Sequence, residues 1–266
     1  KYTAEFSAVY AKGNKPRVSS TPFLLDISAP EANITLEPIP FSPDNDGIDD
    51  ELAIGLSVRD ASPISDWRLL INDRTGKMFN SFAGKGVPAA SIIWDGRSST
   101  GELVIAAEDY PFVFTVSDSV GNTRKLEGKI PIDILVIRDG DRLKIRISNI
   151  NFAPNSPEVV LDSSETGQKN LSVLNRLVEV LTRYAGYQVL VEGHGNNISG
   201  TAREESQELL PLSIARAEEV RKALVSLGLP ARRITAEGRG GSQMLFPFSD
   251  RDNNWKNRRV EFILIK

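Results

Sequence analysis

The side chains with the most chemical reach gather around one strand-loop-helix passage. An apolar, β-branched strand over 188–192 runs into Gly193-His194-Gly195-Asn196; a polar loop follows, and a helix opens at Leu212-Ser213 with Arg216 one turn inside it. A loop that leaves a strand for a helix lies at the carboxyl end of the strand, where open α/β sheets hold their ligands. Arg216 sits early in the helix, where backbone N–H groups also favour an anion. The same residue serves equally well to cap the loop or to pair with a Glu. Cysteine is absent and His194 is the only histidine. Disulfides, thiolate metal sites and thiol catalysis are therefore excluded. With no Gly-x-Ser-x-Gly elbow, phosphate loop or metal-ligand spacing, neither an enzyme nor a cofactor is expected.

A second cluster is the acidic turn Asp44-Asn45-Asp46-Gly47-Ile48-Asp49-Asp50. Calcium takes six to eight oxygens, and Asp44, Asp46, Asp49 and Asp50 beside a Gly turn supply several. An EF-hand would place an oxygen ligand fifth and Glu twelfth, yet counting from Asp44 those places hold Ile48 and Gly55. Two readings remain, a solvated acidic turn and a weak calcium site.

The elements that must position these groups follow from periodicity. Over 139–266 strands alternate with helices: a strand at 142–150, a helix from about 167 to 184 with Leu171, Leu174, Leu177, Val178 and Leu181 on one stripe, then the strand before His194. A second helix over 212–227 stops at Gly228 and Pro230, and short strands follow at 234–237 and 260–265. The expectation is an α+β domain, two helices on one face of a mixed sheet. Ahead of it, 31–138 reads as an antiparallel β-sandwich. Leu52, Ile54, Leu56 and Val58 alternate, as do Trp67, Leu69 and Ile71, with turns at Thr75-Gly76, Asp95-Gly96 and Gly121-Asn122. Asp139-Gly140 between alternating strands predicts a hairpin at the boundary, hence a coupled pair of domains. Residues 1–30 read as two strands, Tyr2 to Tyr10 and 22–27. They are either the closing strands of a truncated upstream β-domain or partners of the next domain's sheet.

Charge is divided: 1–137 holds 13 basic and 19 acidic residues, 138–266 holds 19 and 16. Neither balance, nor any aromatic-basic pattern, suggests a nucleic-acid partner. No apolar run approaches the roughly 18 residues of a membrane span. The chain opens at Lys1 without an initiator Met or a signal-like segment, as expected of a mature product or a cut piece.

Two resemblances sharpen this. FSPDNDGIDD from Phe41, WDGRSSTGELV, and Tyr110 leading to DSVGNT resemble a bacterial immunoglobulin-like family of flagellar hook-capping and gliding-motility proteins. That resemblance implies a spacer or interaction module. Phe152-Ala153-Pro154-Asn155-Ser156, Val191-Glu192-Gly193-His194, Leu212-Ser213 with Arg216-Ala217, Gly238 with Gly240, and Asn257-Arg258-Arg259-Val260-Glu261 resemble the C-terminal domain of the outer-membrane protein A family. The resemblance implies a peptidoglycan-associated, periplasmic module, possessing a pocket in which an Asp pairs with the ammonium of diaminopimelate and an Arg with its carboxylate. Arg216 matches that Arg. Asn196 stands at the Asp, Gly195 at a usual Thr and Leu209 at a usual Asn, and the loop is about five residues longer than the common form, rich in Glu and Arg and expected to form an extra helical turn across the pocket. Within this family His194 reads as a packing and hydrogen-bonding residue. Asn257, Arg258 and Arg259 face the same pocket, either holding a carboxylate or bracing the loop after Asn196.

The expectation is a non-enzymatic cell-envelope structural protein whose ligand site, Gly193, His194, Asn196, Arg216, Asn257, Arg258 and Arg259, is degenerate. Its partners are then peptidoglycan, weakly or in altered form, or other envelope proteins. The alternative is a genuine non-covalent tether for a wall built on a different stem peptide, such as one with ornithine or lysine. A scaffold that had lost the ligand would have its pocket closed by 197–211.

Overall fold

The computed structural model describes residues 1–23, 25–153 and 156–266. Leu24, within the second expected strand, and Pro154 and Asn155, within the Phe152 to Ser156 motif, lie outside the described residues. At the N-terminus, β1 (Glu5–Ser7) pairs antiparallel with β2 (Arg17–Ser19), Phe6 opposite Val18. Among the described residues, the segment expected as the partner, 22–27, contributes a bridge from Phe23 to Tyr2. Every residue of both strands is exposed, so no core selects a register. The turn selects it instead, with Gly13 at φ 87° closing the hairpin.

The sandwich follows from period-two alternation. β3 (Glu31–Glu37), β4 (Leu52–Arg59) and β7 (Ser91–Trp94) form one antiparallel sheet in the order β3-β4-β7. β5 (Ile64–Asn72), β6 (Met78–Lys85), β8 (Asp109–Asp118) and β9 (Thr123–Pro131) form the other, in the order β6-β5-β8-β9. Leu52, Ile54, Leu69, Ile71, Phe114 and Trp94 are buried between them. Each such side chain contributes about 1.5–3 kcal/mol on leaving water.

The passage between domains is buried at Ile132, Ile134, Leu135 and Val136. It enters β10 (Ile137–Asp139), which turns at Gly140, φ 61°, into β11 (Arg142–Ile147). The second domain adds α1 (Glu165–Arg183), β12 (Gln188–His194), the short turn α2 (Ala202–Glu204), a π-helical turn Glu205–Leu209, α3 (Leu210–Ser226), β13 (Ile234–Gly240) and β14 (Val260–Ile265). Its sheet runs β10-β11-β14-β12-β13, with only β12 and β13 parallel. Ser164 caps α1, its Oγ accepting the Gly167 N–H at 3.1 Å. Leu174, Leu177 and Leu181 of α1 and Val220 and Leu224 of α3 are buried in one core with Ile145, Val189, Val191, Phe262 and Leu264 of the sheet. The alternate residues of the same strands, Arg146, Glu192 and Glu261, bond one another or other charged groups on the opposite face. Among the described residues no helix is long and apolar enough to cross a membrane.

Candidate functional site

Two glycines seat α3 on the carboxyl end of the sheet. A Cβ at Gly193 would strike the Ser213 carbonyl, and one at Gly238 would strike the Ile214 backbone nitrogen. Without side chains there, the first turn of α3 lies directly on β12 and β13. Ser213 fastens it, its Oγ accepting the Gly240 N–H at 3.0 Å and donating to the Leu210 carbonyl at 2.9 Å. Arg216, one turn further on, then stands at the mouth beside Gly193 and His194.

That mouth is a cavity of about 230 Å³ whose walls include Phe152, His194, Arg216, Trp255, Arg258 and Arg259. Arg216 donates from Nε to the Ser156 carbonyl at 3.2 Å, and its guanidinium lies 4.7 Å over the Phe152 ring. Burial, and then the charge of Arg258, push its pKa below the usual guanidinium value. Among the described residues no carboxylate lies within salt-bridge distance of Arg216 or Arg258, and no Asp or Glu lines the cavity. The half-buried Arg216 thus stands beside the exposed Arg258 with no carboxylate to neutralise either.

Arg259 is different. Its Nε bonds Glu261 at 2.7 Å, and Glu261 also takes Arg146 at 2.9 Å and Lys144 at 3.3 Å. Burial pushes the Glu261 carboxyl up, but Arg259 and Arg146 outweigh it and hold it down at about 2. Glu192 is gripped by Arg239 at 2.8 Å. The second oxygens of Glu192 and Glu261 lie 3.7 and 3.8 Å from His194 Nε2. That is beyond hydrogen-bond reach, and neither ring nitrogen of the buried His194 has a partner among the described residues. The His194 ring therefore packs without a hydrogen bond, while its backbone N–H donates to the Arg259 carbonyl at 3.0 Å. The three side chains come close enough to ligate a metal, but Lys144, Arg146, Arg239 and Arg259 already surround the two carboxylates, and a divalent cation would add to a positive excess.

A family model described as the OmpA family matches residues 151–258. Those residues are an OmpA family domain. No curated protein matches the chain. Among solved structures, the chain is similar to the cell wall anchor of the T6SS from Pseudomonas aeruginosa, at 31% identity over 50% of this chain and 87% of that one, TM-score 0.39. It is similar to a MotB-like protein from Desulfovibrio vulgaris, at 25% identity over 49% and 76%, TM-score 0.40. It is also similar to the peptidoglycan-associated lipoprotein from Burkholderia pseudomallei, at 22% identity over 45% and 88%, TM-score 0.34.

Within the OmpA family domain the sequence-derived site residues divide. Gly193, His194, Arg216, Arg258 and Arg259 surround the cavity, while Asn196 and Asn257 do not line it. Asn196 is 6% exposed and its Oδ1 accepts from Asn257 Nδ2 at 2.9 Å. Asn257 in turn accepts the N–H groups of Leu245 and Phe246 at 2.7 and 3.1 Å and donates to the Phe246 carbonyl at 2.8 Å. The bracing role proposed for this segment thus falls to Asn257, and the two arginines beside it face the cavity.

The long loop forms extra helix, as its composition suggests, but not across the pocket. α2 and the π-helical turn run straight into α3, and none of 197–211 lines the cavity. Glu205 explains the placement: its two oxygens accept the Gly241 N–H at 3.0 and 2.8 Å, which holds the insertion over the end of β13.

In the acidic turn, Asp44, Asp46 and Asp50 come together, and Asp49 is not of the group. Asp49 adopts φ 57°, a left-handed backbone uncommon outside glycine. Asp50 accepts N–H groups of Asn45 and Gly47, at 2.5 and 2.8 Å, and Asp44 accepts the Val136 N–H at 2.7 Å. The turn is thereby closed by its own backbone and tied to the passage between domains.

Two cavity residues carried no signal in the sequence. Arg74 reads only as part of the Thr75-Gly76 turn, and Trp255 lies in a stretch without periodicity; the fold alone brings them together.

Proposed function

We propose that this chain is a non-enzymatic cell-envelope protein whose OmpA family domain grips a carboxylate of the peptidoglycan stem peptide through Arg216 and Arg258. It has lost the means to read the ammonium of diaminopimelate. The observation that carries this is the cavity wall, which presents the guanidiniums of Arg216 and Arg258 without a counter-charge and, among the described residues, no carboxylate. Asn196, at the position of the family's anionic partner, is an amide and is spent on Asn257. Because the insertion leaves the cavity open, the reading of a closed, ligand-free scaffold is disfavoured. A wall built on ornithine or lysine fits less well, since it keeps the ammonium and removes the carboxylate beside it, the reverse of what these walls offer. The sandwich ahead of the domain serves as a spacer or interaction module, and the chain works in the periplasm or at the outer membrane.

The test is co-sedimentation with sacculi from the organism that makes the chain. Arg216→Ala should weaken binding by about tenfold to a hundredfold, the loss of one charged hydrogen bond. Binding that ignores the substitution removes the pocket from the function.

A further inference from the structure

The cavity beside Arg216 does not end at the OmpA family domain. Arg74, in the turn between β5 and β6 of the sandwich, forms part of its wall, and so does Trp255. The same two residues line a second cavity of about 560 Å³ that runs between the sandwich loops around 73–79 and 98–102 and the segment 251–256. Arg74 is fixed from two sides. Its Nη1 donates to Glu108 at 3.1 Å, and its guanidinium lies 4.3 Å over the Trp255 ring. The larger cavity is bridged by Lys77 with Asp252 at 3.1 Å and by Lys256 with Glu102.

We propose that the ligand site is shared by the two domains: Arg74 of the sandwich binds the wall fragment together with Arg216, and the fragment continues across Trp255 into the cleft between domains. This rests on the carboxylate-binding function proposed above and extends it to a longer ligand. Glu108 occupies one of the five N–H donors of Arg74, and the remainder have no hydrogen-bond partner among the described residues. Arg74 has Glu108 as its counter-charge, but Arg216 and Arg258 have none, so a fragment bearing a single carboxylate leaves the walls positive and a second acidic group is favoured. The cleft beyond is of another character. It offers the aromatic ring of Trp255, the hydroxyls of Ser98, Ser99 and Thr100, and charged side chains of both signs that pair across it, Lys77 with Asp252 and Lys256 with Glu102, a balanced lining that takes a polar chain of peptide or sugar without a large net charge. The smaller cavity alone falls below the usual size of a ligand site, whereas the larger, at about 560 Å³, lies within it. On this arrangement the sandwich is a wall of the binding site as well as a spacer.

The experiment titrates the full chain with muropeptides released from the same sacculi by a muramidase, reading tryptophan fluorescence beside direct binding. Wild type should show a ligand-induced emission change that is lost in Trp255→Phe. Arg74→Ala should bind about tenfold to a hundredfold more weakly with an unchanged unfolding midpoint. If Arg216→Ala abolishes binding while Arg74→Ala binds as wild type does, the shared site is overturned and the carboxylate pocket stands. If neither substitution matters, both fall. Should Arg74→Ala not fold, the wild-type emission decides: saturating ligand without a change that depends on Trp255 overturns the shared site.

Discussion

Asn257 donates its side-chain amide to Asn196 Oδ1 at 2.9 Å, and the pair is buried. The bond joins the loop after β12 to the segment before β14, but its two members carry unequal loads. Asn257 also satisfies two backbone N–H groups and one carbonyl of 245–246, whereas Asn196 supplies a single acceptor. A buried polar group left unmade costs about 1–3 kcal/mol. Asn257→Ala should therefore destabilise the protein by at least about 3 kcal/mol and Asn196→Ala by about 1 kcal/mol. Urea midpoints of the two variants check this, and equal losses would show that the clasp is not organised around Asn257.

Glu261 makes the domain acid-sensitive. Its side chain is almost wholly buried, and Arg259 and Arg146 hold its pKa at about 2 against an ordinary 4.5. A depressed carboxylate contributes stability that is fully present above pH 4.5 and is lost as pH falls toward 2. Glu261→Gln also strands Arg259 and Arg146 and should cost about 3–5 kcal/mol at pH 7. The gap to wild type should close steadily below pH 4.5 in denaturant titrations; a gap that stays constant down to pH 2 would mean the carboxylate is not the group that titrates.

Much of this was legible in the sequence, for a physical reason. Helical stripes and period-two alternation record which face is buried, so both helices, the mixed sheet and the sandwich follow from where Leu174, Leu177, Ile54 and Leu69 recur. Arg216 was legible because a local element, one turn of helix, fixes its distance from Leu212-Ser213. What local pattern does not carry is contact between distant segments. Arg74 meets Trp255 only after both domains have folded and docked. The insertion was readable as helix, but its direction depends on Glu205 finding the N–H of Gly241, which no spacing announces. The second strand of the N-terminal hairpin, expected at 22–27, lies instead at 17–19, because its apolar residues have no core to face.

Asp44 pulls in the opposite direction from Glu261. Burial, with Asp46 and Asp50 adding their charges, pushes its carboxyl up to about 6 although the Val136 N–H opposes the rise. The folded protein therefore keeps a proton that the unfolded chain releases near pH 3.8. This group contributes stability that is present below that pH and fades as pH rises through about 6. Asn preserves an acceptor for Val136 and removes the charge, so Asp44→Asn should be more stable than wild type at pH 7 and should lose the advantage near pH 4. Thermal midpoints across that range settle the matter, and an advantage of equal size at both ends would exclude titration as its source. Calcium tests the alternative use of the same carboxylates: a shift in midpoint present in wild type and absent in Asp44→Asn would assign Asp44, Asp46 and Asp50 to an ion.

Arg176 fastens the domains to each other. From α1 it reaches Asp133, in the passage leaving the sandwich, with Nε at 2.8 Å from Oδ1 and Nη2 at 2.5 Å from Oδ2. Asp133 is 8% exposed, so its charge relies on this fork. Removing one partner of a buried pair costs about 3–5 kcal/mol; with the Arg176 side chain 39% exposed, Arg176→Ala should fall at or below the low end, about 2–3 kcal/mol. Adding Asp133→Asn should recover part of the loss, because the stranded charge disappears with it. The more telling readout is cooperativity. With Ile134, Leu135 and Val136 buried between the domains, wild type should unfold in one transition, and Arg176→Ala should separate it into two, the OmpA family domain and the sandwich melting independently. A single, merely shifted transition would place the coupling in the apolar passage and leave the ion pair a local contact.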